Sequence, residues 1–210
     1  MSGYEWVFDE EAGILIVRGD GPMMDFGRFL RDRSPWRDVS VKHAIIKEGI
    51  TSIGNNAFYG CRDLESIEIP DTVSSIGHGA FQGCSSLLEV DLPDSVTDIG
   101  PFAFYRCKKL RTVVLPHGLA KIPNDAFALC KGLETVRLPN TLREIGNHAF
   151  YECTALLSAE IPRCIESIGQ HAFANCISLD LVVRNDKADI GSDAFAGVRS
   201  VVINSLPPRK

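Results

Sequence analysis

No run of about 18 consecutive apolar residues occurs anywhere in the 210-residue chain, so no segment is fit to cross a bilayer as a helix and no membrane insertion is expected. The opening residues, Met1-Ser2-Gly3-Tyr4-Glu5-Trp6, have neither a basic start nor an apolar core, and no secretory signal is expected. Basic residues are in the minority, 22 Lys and Arg against 27 Asp and Glu, for a net charge of −5. A basic stripe that would neutralise phosphates is missing, which argues against a nucleic-acid partner. There is no C-x-x-C pair, and zinc sites are commonly built from such pairs. Nor does a Ser-His-Asp, Cys-His or paired-carboxylate arrangement emerge in a pocket-like context. The chain therefore reads as noncatalytic, with no cofactor and no metal. At 45% apolar and 23% charged residues, it has the composition of one soluble folded unit.

What the chain has is a period. The segment Ile53-Gly54-Asn55-Asn56-Ala57-Phe58-Tyr59-Gly60-Cys61 returns every 23 residues, with its isoleucine at Ile76, Ile99, Ile122, Ile145 and Ile168, and then at Ile190 after one deletion. A fixed period of this length means one supersecondary unit, unable to bury its own apolar face, stacked on copies of itself into a solenoid. Near the end of each unit apolar spacing falls to two, as at Ile67 and Ile69 or Val90 and Leu92, which predicts one short parallel strand per coil. The prolines at 70, 93, 116, 139 and 162 cannot donate to a ladder, so they end that strand and turn the chain. The Ala-Phe-x-x-Cys stretch has three-residue spacing after capping types such as Asn55-Asn56, and predicts a single helical or 3₁₀ turn per coil.

Two further positions follow from stacking. The glycine after each Ile invites a positive φ, yet Pro123 takes the same place in the fourth copy, where its ring fixes φ near −65°. Close approach of the neighbouring coil is the preferred reading, with Pro123 marking a local distortion. Six of the seven cysteines (Cys61, Cys84, Cys107, Cys130, Cys153, Cys176) share one repeat position. Stacked coils would set their Cβ atoms about 4.8 Å apart, beyond the roughly 3.5 to 4.5 Å a disulfide prefers, so a buried thiol column is expected. Cys164, in the turn after Pro162, is the one expected to meet solvent.

The repeat resembles the BspA-like class of leucine-rich repeats, whose pattern I-G-x-x-A-F-x-x-C-x-x-L-x-x-I-x-[IL]-P is carried in nearly full form by five copies. The segment from Gly13 to Phe26, followed by Ser34-Pro35-Trp36, is similar to the cap that precedes the first repeat in that family. The resemblance implies a leucine-rich repeat solenoid and a role in adhesion, since members are often bacterial or protist surface or secreted proteins that bind host matrix proteins or partner cells. Read from the residues, Trp6-Val7-Phe8 and Ile14-Leu15-Ile16-Val17 flank the polar Asp9–Gly13 as a hairpin, and 25–38, with Phe26, Phe29, Leu30 and Trp36, folds over the first coil as a short helix or loop. The organisation expected is a cap over 1–40, a solenoid over 41–204 (half repeat, six repeats, partial seventh) and a tail over 205–210. No comparable C-terminal cap is visible.

Function must then lie on positions the core does not dictate. Two outward columns on the strand wall are expected: Glu68, Asp91, Val114, Arg137, Glu160, Val183, and Ser66, Glu89, Thr112, Thr135, Ser158, Leu181. Among them Glu68, Asp91, Thr112, Val114, Thr135, Arg137 and Glu160 are the candidate partner-binding residues, on a broad, nearly flat surface suited to a protein or glycan. A solvated face of mixed charge is the alternative. Asp125, His148, His171 and Asp193 form another column, which reads as a metal edge or, more simply, as residues bonding backbone amides and water. Tyr59, Tyr105 and Tyr151 recur at every second coil, either as exposed anchors or packed over Ala128 and Ala174. The overall reading is a noncatalytic interaction module, an adhesin or cell-surface recognition domain; an intracellular scaffold or a purely structural spacer is the alternative. Neither partner identity nor oligomeric state is legible.

Overall fold

A computed structural model of the chain describes residues 4–28 and 32–204. Phe29, Leu30 and the tail over 205–210, to which the sequence assigns cap and tail roles, lie outside the described residues. The chain coils into a stack of turns, each about 23 residues long, whose core is one continuous apolar cluster.

Each full coil contributes two strands to two parallel walls, where the sequence predicts one. The first wall runs through His43–Ile46, Ser66–Glu68, Glu89–Asp91, Thr112–Val114, Thr135–Arg137, Ser158–Ile161, Asp180–Val183 and Ser200–Ile203. The second opens on Gly21–Pro22 and Ile50–Ile53 and continues in two-residue pieces at the recurring isoleucine, from Ser75–Ile76 through Lys121–Ile122 to Asp189–Ile190. Two residues suffice to pair but leave no alternation to read, which is why this wall escapes the sequence. Between the walls, the amide three residues past each proline closes a turn onto the proline carbonyl, as in Val73 to Pro70 and Val96 to Pro93, both 3.0 Å. The prolines thus end the first wall and turn the chain as expected.

The Ala-Phe-x-x-Cys stretch is not helical. Among the described residues there is no helix, and the dihedrals explain it. Two positions per coil have positive φ: Asn56, Gly79, Phe102, Asp125, His148, His171 and Asp193, then Gly60, Gly83, Arg106, Leu129, Glu152, Asn175 and Gly197 four residues later. A right-handed turn cannot continue through a left-handed residue. The amides consequently alternate. Ala57, Tyr59 and Cys61 close local turns onto Gly54, Asn56 and Phe58, while Asn56, Phe58 and Gly60 donate to His78, Ala80 and Gln82 of the next coil at 2.7 to 2.9 Å. A helix would have consumed every amide internally; this geometry spends half of them stitching coils together.

Glycine after isoleucine is there for close approach. None of Gly54, Gly77, Gly100, Gly146, Gly169 or Gly191 has positive φ, and a Cβ at Gly100 would lie 2.5 Å from the His78 backbone nitrogen. The amide at this position also donates to the previous isoleucine carbonyl, as in Gly100 to Ile76 at 2.7 Å and Gly146 to Ile122 at 2.8 Å. Pro123 has no such donor, and the second wall separates into two sheets between Asp98–Ile99 and Lys121–Ile122. The local distortion expected at Pro123 is this break.

Through the centre, Phe58, Phe81, Phe104, Phe127, Phe150 and Phe173 are fully buried and stack face on face, with neighbouring centroids 5.0 to 5.4 Å apart. The cysteine column runs beside them. Each of Cys84, Cys107, Cys130, Cys153 and Cys176 donates its thiol to the carbonyl of the phenylalanine 26 residues earlier, at 3.0 to 3.2 Å. All seven cysteines are free, and Cys164 alone among them is not fully buried. Burial pushes the Cys61 thiol up to about 12 despite the nearby Arg37, and raises Cys84, Cys107 and Cys153 well above the usual thiol range.

At the N-terminal end, Tyr4–Asp9 and Ile14–Gly19 form an antiparallel hairpin. Its second strand pairs in parallel with His43–Ile46 and so starts the first wall. Gly13 takes φ +68° and the Asp9 carboxylate accepts from the Glu11 and Ala12 amides, which fixes the turn.

Candidate functional site: the strand wall and the turn edge

All seven candidate residues on the first wall are exposed: Glu68, Asp91, Thr112, Val114, Thr135, Arg137 and Glu160. The buried partner between each outward pair (Val90, Val113, Val136) fixes their orientation, because side chains alternate faces along a strand. Register brings the centre together: Thr112 lies opposite Glu89 and Thr135, and Val114 opposite Asp91 and Arg137. Val114 is 43% exposed at the middle of this face, with Leu88 at 42% and Leu157 at 54% along its margin. These two leucines precede their strands in the repeat and are missed by a sequence reading that follows only the strand columns.

The wall is not uniform. Glu68 belongs to a separate four-stranded sheet, since the ladder breaks between Ser66–Glu68 and Glu89–Asp91. At that break Glu68, Glu89, Asp91, Thr112 and Val114 line an open hollow of about 470 Å³. Farther along, Thr135, Arg137, Ser158, Glu160 and Val182 line a second of about 620 Å³. Glu160 is also engaged by Arg184, Nε to Oε1 at 2.8 Å, and that contact holds its carboxyl below the usual range.

The two columns end differently from expectation. Leu181 and Val183 are buried, and the residues opposite Ser158 and Glu160 are Asp180 and Val182. The deletion that shortens this coil falls just after Leu179, before the strand, so counting by 23 slips one residue, and a one-residue slip reverses the face of every side chain.

On the turn edge, His148 and His171 stack with centroids 5.2 Å apart, and His171 Nε2 lies 3.9 Å from an Asp193 oxygen. Partial burial raises the Asp125 carboxyl, opposed by His148. No group of three or more ligating side chains converges among the described residues. The tyrosines are half-buried, and Ala128 and Ala174, in the same column, are buried. Tyr151 packs edge-on against His148 of its own coil at 5.6 Å, and Tyr105 against Phe102 at 5.7 Å. Tyr59 lies under two guanidiniums, Arg37 at 4.6 Å and Arg28 at 5.4 Å from its ring.

The pattern described as the BspA type leucine rich repeat region matches the chain in six copies, over residues 35–156 and 75–202. A leucine rich repeat protein of T. pallidum is 26% identical and superposes with a TM-score of 0.73, over 93% of this chain and 86% of its own. A leucine rich cell surface protein of Faecalibacterium prausnitzii is 23% identical with a TM-score of 0.54, over 98% of this chain and 77% of its own, and shares the fold. No curated protein sequence matches.

Proposed function

The chain belongs to the BspA-type leucine-rich repeat family, and from that premise we propose that it is a noncatalytic interaction module that recognises a protein or glycan through the first strand wall. The observation that supports this most directly is the composition of the wall's centre. Val114, Thr112 and Thr135 are exposed beside Arg137, with Glu89, Asp91 and Glu160 around them. An apolar and polar middle flanked by charge is the arrangement in which central contacts supply most of the affinity and rim charges orient the partner. Leu88 and Leu157 extend the apolar content along the margin. A recognition role at the cell surface, as an adhesin, is the preferred reading; the F. prausnitzii neighbour bears the name of a cell surface protein. No helix among the described residues is long and apolar enough to cross a membrane.

The test begins with a panel of immobilised host matrix proteins and glycans. Once a member is retained, the double variant V114A/R137A should bind it at least tenfold more weakly, about 1.4 kcal/mol, with an unchanged melting temperature. Undiminished affinity in that folded variant would move the site off the wall. A chain that retains no member of the panel would sink the adhesin reading.

A further inference from the structure

We propose that the turn edge beside the cap holds a second, independent site that binds a sulfate or phosphate ester. Four cations, Arg37, Arg62, Arg106 and Lys108, line one hollow of about 390 Å³, and among the described residues no carboxylate lines it. Among the described residues none of the four takes part in an ion pair, whereas Lys131, one coil beyond Lys108 in the same column, is neutralised by Glu152 at 3.0 Å. The chain as a whole carries a net charge of −5, so this convergence is a local feature and not a consequence of a basic protein. Like charges held around one space repel, and an anion in that space turns the repulsion into attraction.

The hollow is made by omissions. Gly60 and Gly83 occupy the second positive-φ position of their coils, where later coils carry Arg106, Leu129 and Glu152. Two side chains are therefore missing in succession, and the next coil supplies a guanidinium at the same place. In the adjacent column Ser85 separates Arg62 from Lys108, leaving room between the two heads. Arg37 enters from the cap. It crosses above Gly60, where a Cβ would meet its Nη2 at 3.0 Å, and lies on the face of Tyr59 at 4.6 Å. Among the described residues its Nη1 is buried without a hydrogen-bond partner, as is Oε1 of Gln82, which also lines the hollow. A guanidinium fixed by stacking, with a donor left over, suits the planar bidentate recognition of an oxyanion. The space exceeds what a bare ion fills and matches a small ester-bearing group such as a substituted sugar. None of these residues lines the strand wall hollows, so the two sites can be tested separately.

Calorimetry and thermal melts with inorganic sulfate, inorganic phosphate, glucose 6-sulfate and glucose 6-phosphate test this, against sodium chloride and acetate at matched ionic strength. The oxyanions should bind saturably and raise the melting temperature above both controls. The ester arms identify the source: phosphate-ester binding should strengthen between pH 5 and 8 as the second charge develops near pH 6, while sulfate-ester binding stays flat. The exposed pair variant R62E/K108E, which removes no packing, should weaken binding at least tenfold, and Arg37→Ala should do the same if it folds. Arg143→Ala, which removes a cation elsewhere, should leave binding unchanged. Responses no greater than those to chloride or acetate, or full binding by R62E/K108E, would overturn the site.

Discussion

The two ends of the stack treat the same aromatic core in opposite ways. At the N-terminal end Trp36 takes the place one coil before Phe58, fully buried, its ring 5.8 Å from Phe58 and its indole N–H donating to the Ala57 carbonyl at 2.9 Å. Phe26 and Trp6 then pack edge-on against it at 5.5 and 5.9 Å. At the other end Phe195 is only half-buried, tilted 38° from Phe173 at 6.4 Å, and the last strand exposes Val201, Val202 and Ile203. In a solenoid each coil touches only its neighbours, so stability is close to a sum of interfaces, and a residue's worth depends on how many interfaces it joins.

The sharpest way to break that comparison is to truncate one ring in the middle and one at the end. Phe104→Ala removes a side chain stacked on both sides and should cost about 3 to 5 kcal/mol. Phe195→Ala removes a half-exposed ring with one tilted ring neighbour and should cost about 1 kcal/mol. Urea melts of the two variants measure this. Equal costs, or a Phe104→Ala melt within error of the parent, would mean that the column is not the continuous support it resembles.

Glycines sharpen the same point at smaller scale, because two of them resist substitution for different reasons. Gly100 has ordinary φ but faces the His78 backbone at 2.5 Å, so Gly100→Ala must push neighbouring coils apart and should cost about 3 kcal/mol, the upper end of overpacking. Gly83 has φ +79° with its nearest foreign atom 3.7 Å away, so Gly83→Ala meets only backbone strain and should cost about 1 kcal/mol. If Gly83→Ala proved the more damaging, conformation and not coil spacing would be the dominant demand on glycine here.

Period, inward residues and thiol column are legible because each is a repeat-position property, and the N-terminal hairpin because two β-prone runs flank a polar turn. What is misread is conformation, above all at the two positions per coil whose φ is positive. Asn56 reads as a helix cap, and Asp125, His148 and Asp193 share its column, yet asparagine, aspartate and histidine are also the types that tolerate positive φ, and Gly79 in the same column is the signal that decides between them. Gly60, Gly83, Gly197 and Asn175 repeat that signal four residues on. The slip at Leu181 and Val183 comes from not locating the deletion within its coil. The wall's central residues can be nominated by alternation alone. The anion hollow cannot, because it depends on Arg37, which precedes the full repeats, lying over Gly60.

The smallest expected effect separates one cysteine from the other six. Cys164 shares a repeat position with Thr72, Ser95 and Thr141, whose hydroxyls donate to the carbonyls of Ile50, Val73 and Leu119, and its thiol reaches the equivalent Leu142 carbonyl at 3.0 Å. It is thus a sulfur in a hydroxyl column, on the surface. Cys164→Ser should leave stability within about 0.5 kcal/mol of the parent. The column cysteines are buried, and Cys61, Cys84, Cys107 and Cys153 are shifted away from the thiolate that reagents attack. Native protein should accordingly react with a thiol reagent at Cys164 alone or nowhere, and Cys164→Ser should abolish any native reaction, while denatured, unreduced protein titrates all seven. Labelling of a second cysteine in the native state would show that the coils open locally at the thiol column, and fewer than seven thiols after denaturation would mean that stacked cysteines had joined across coils.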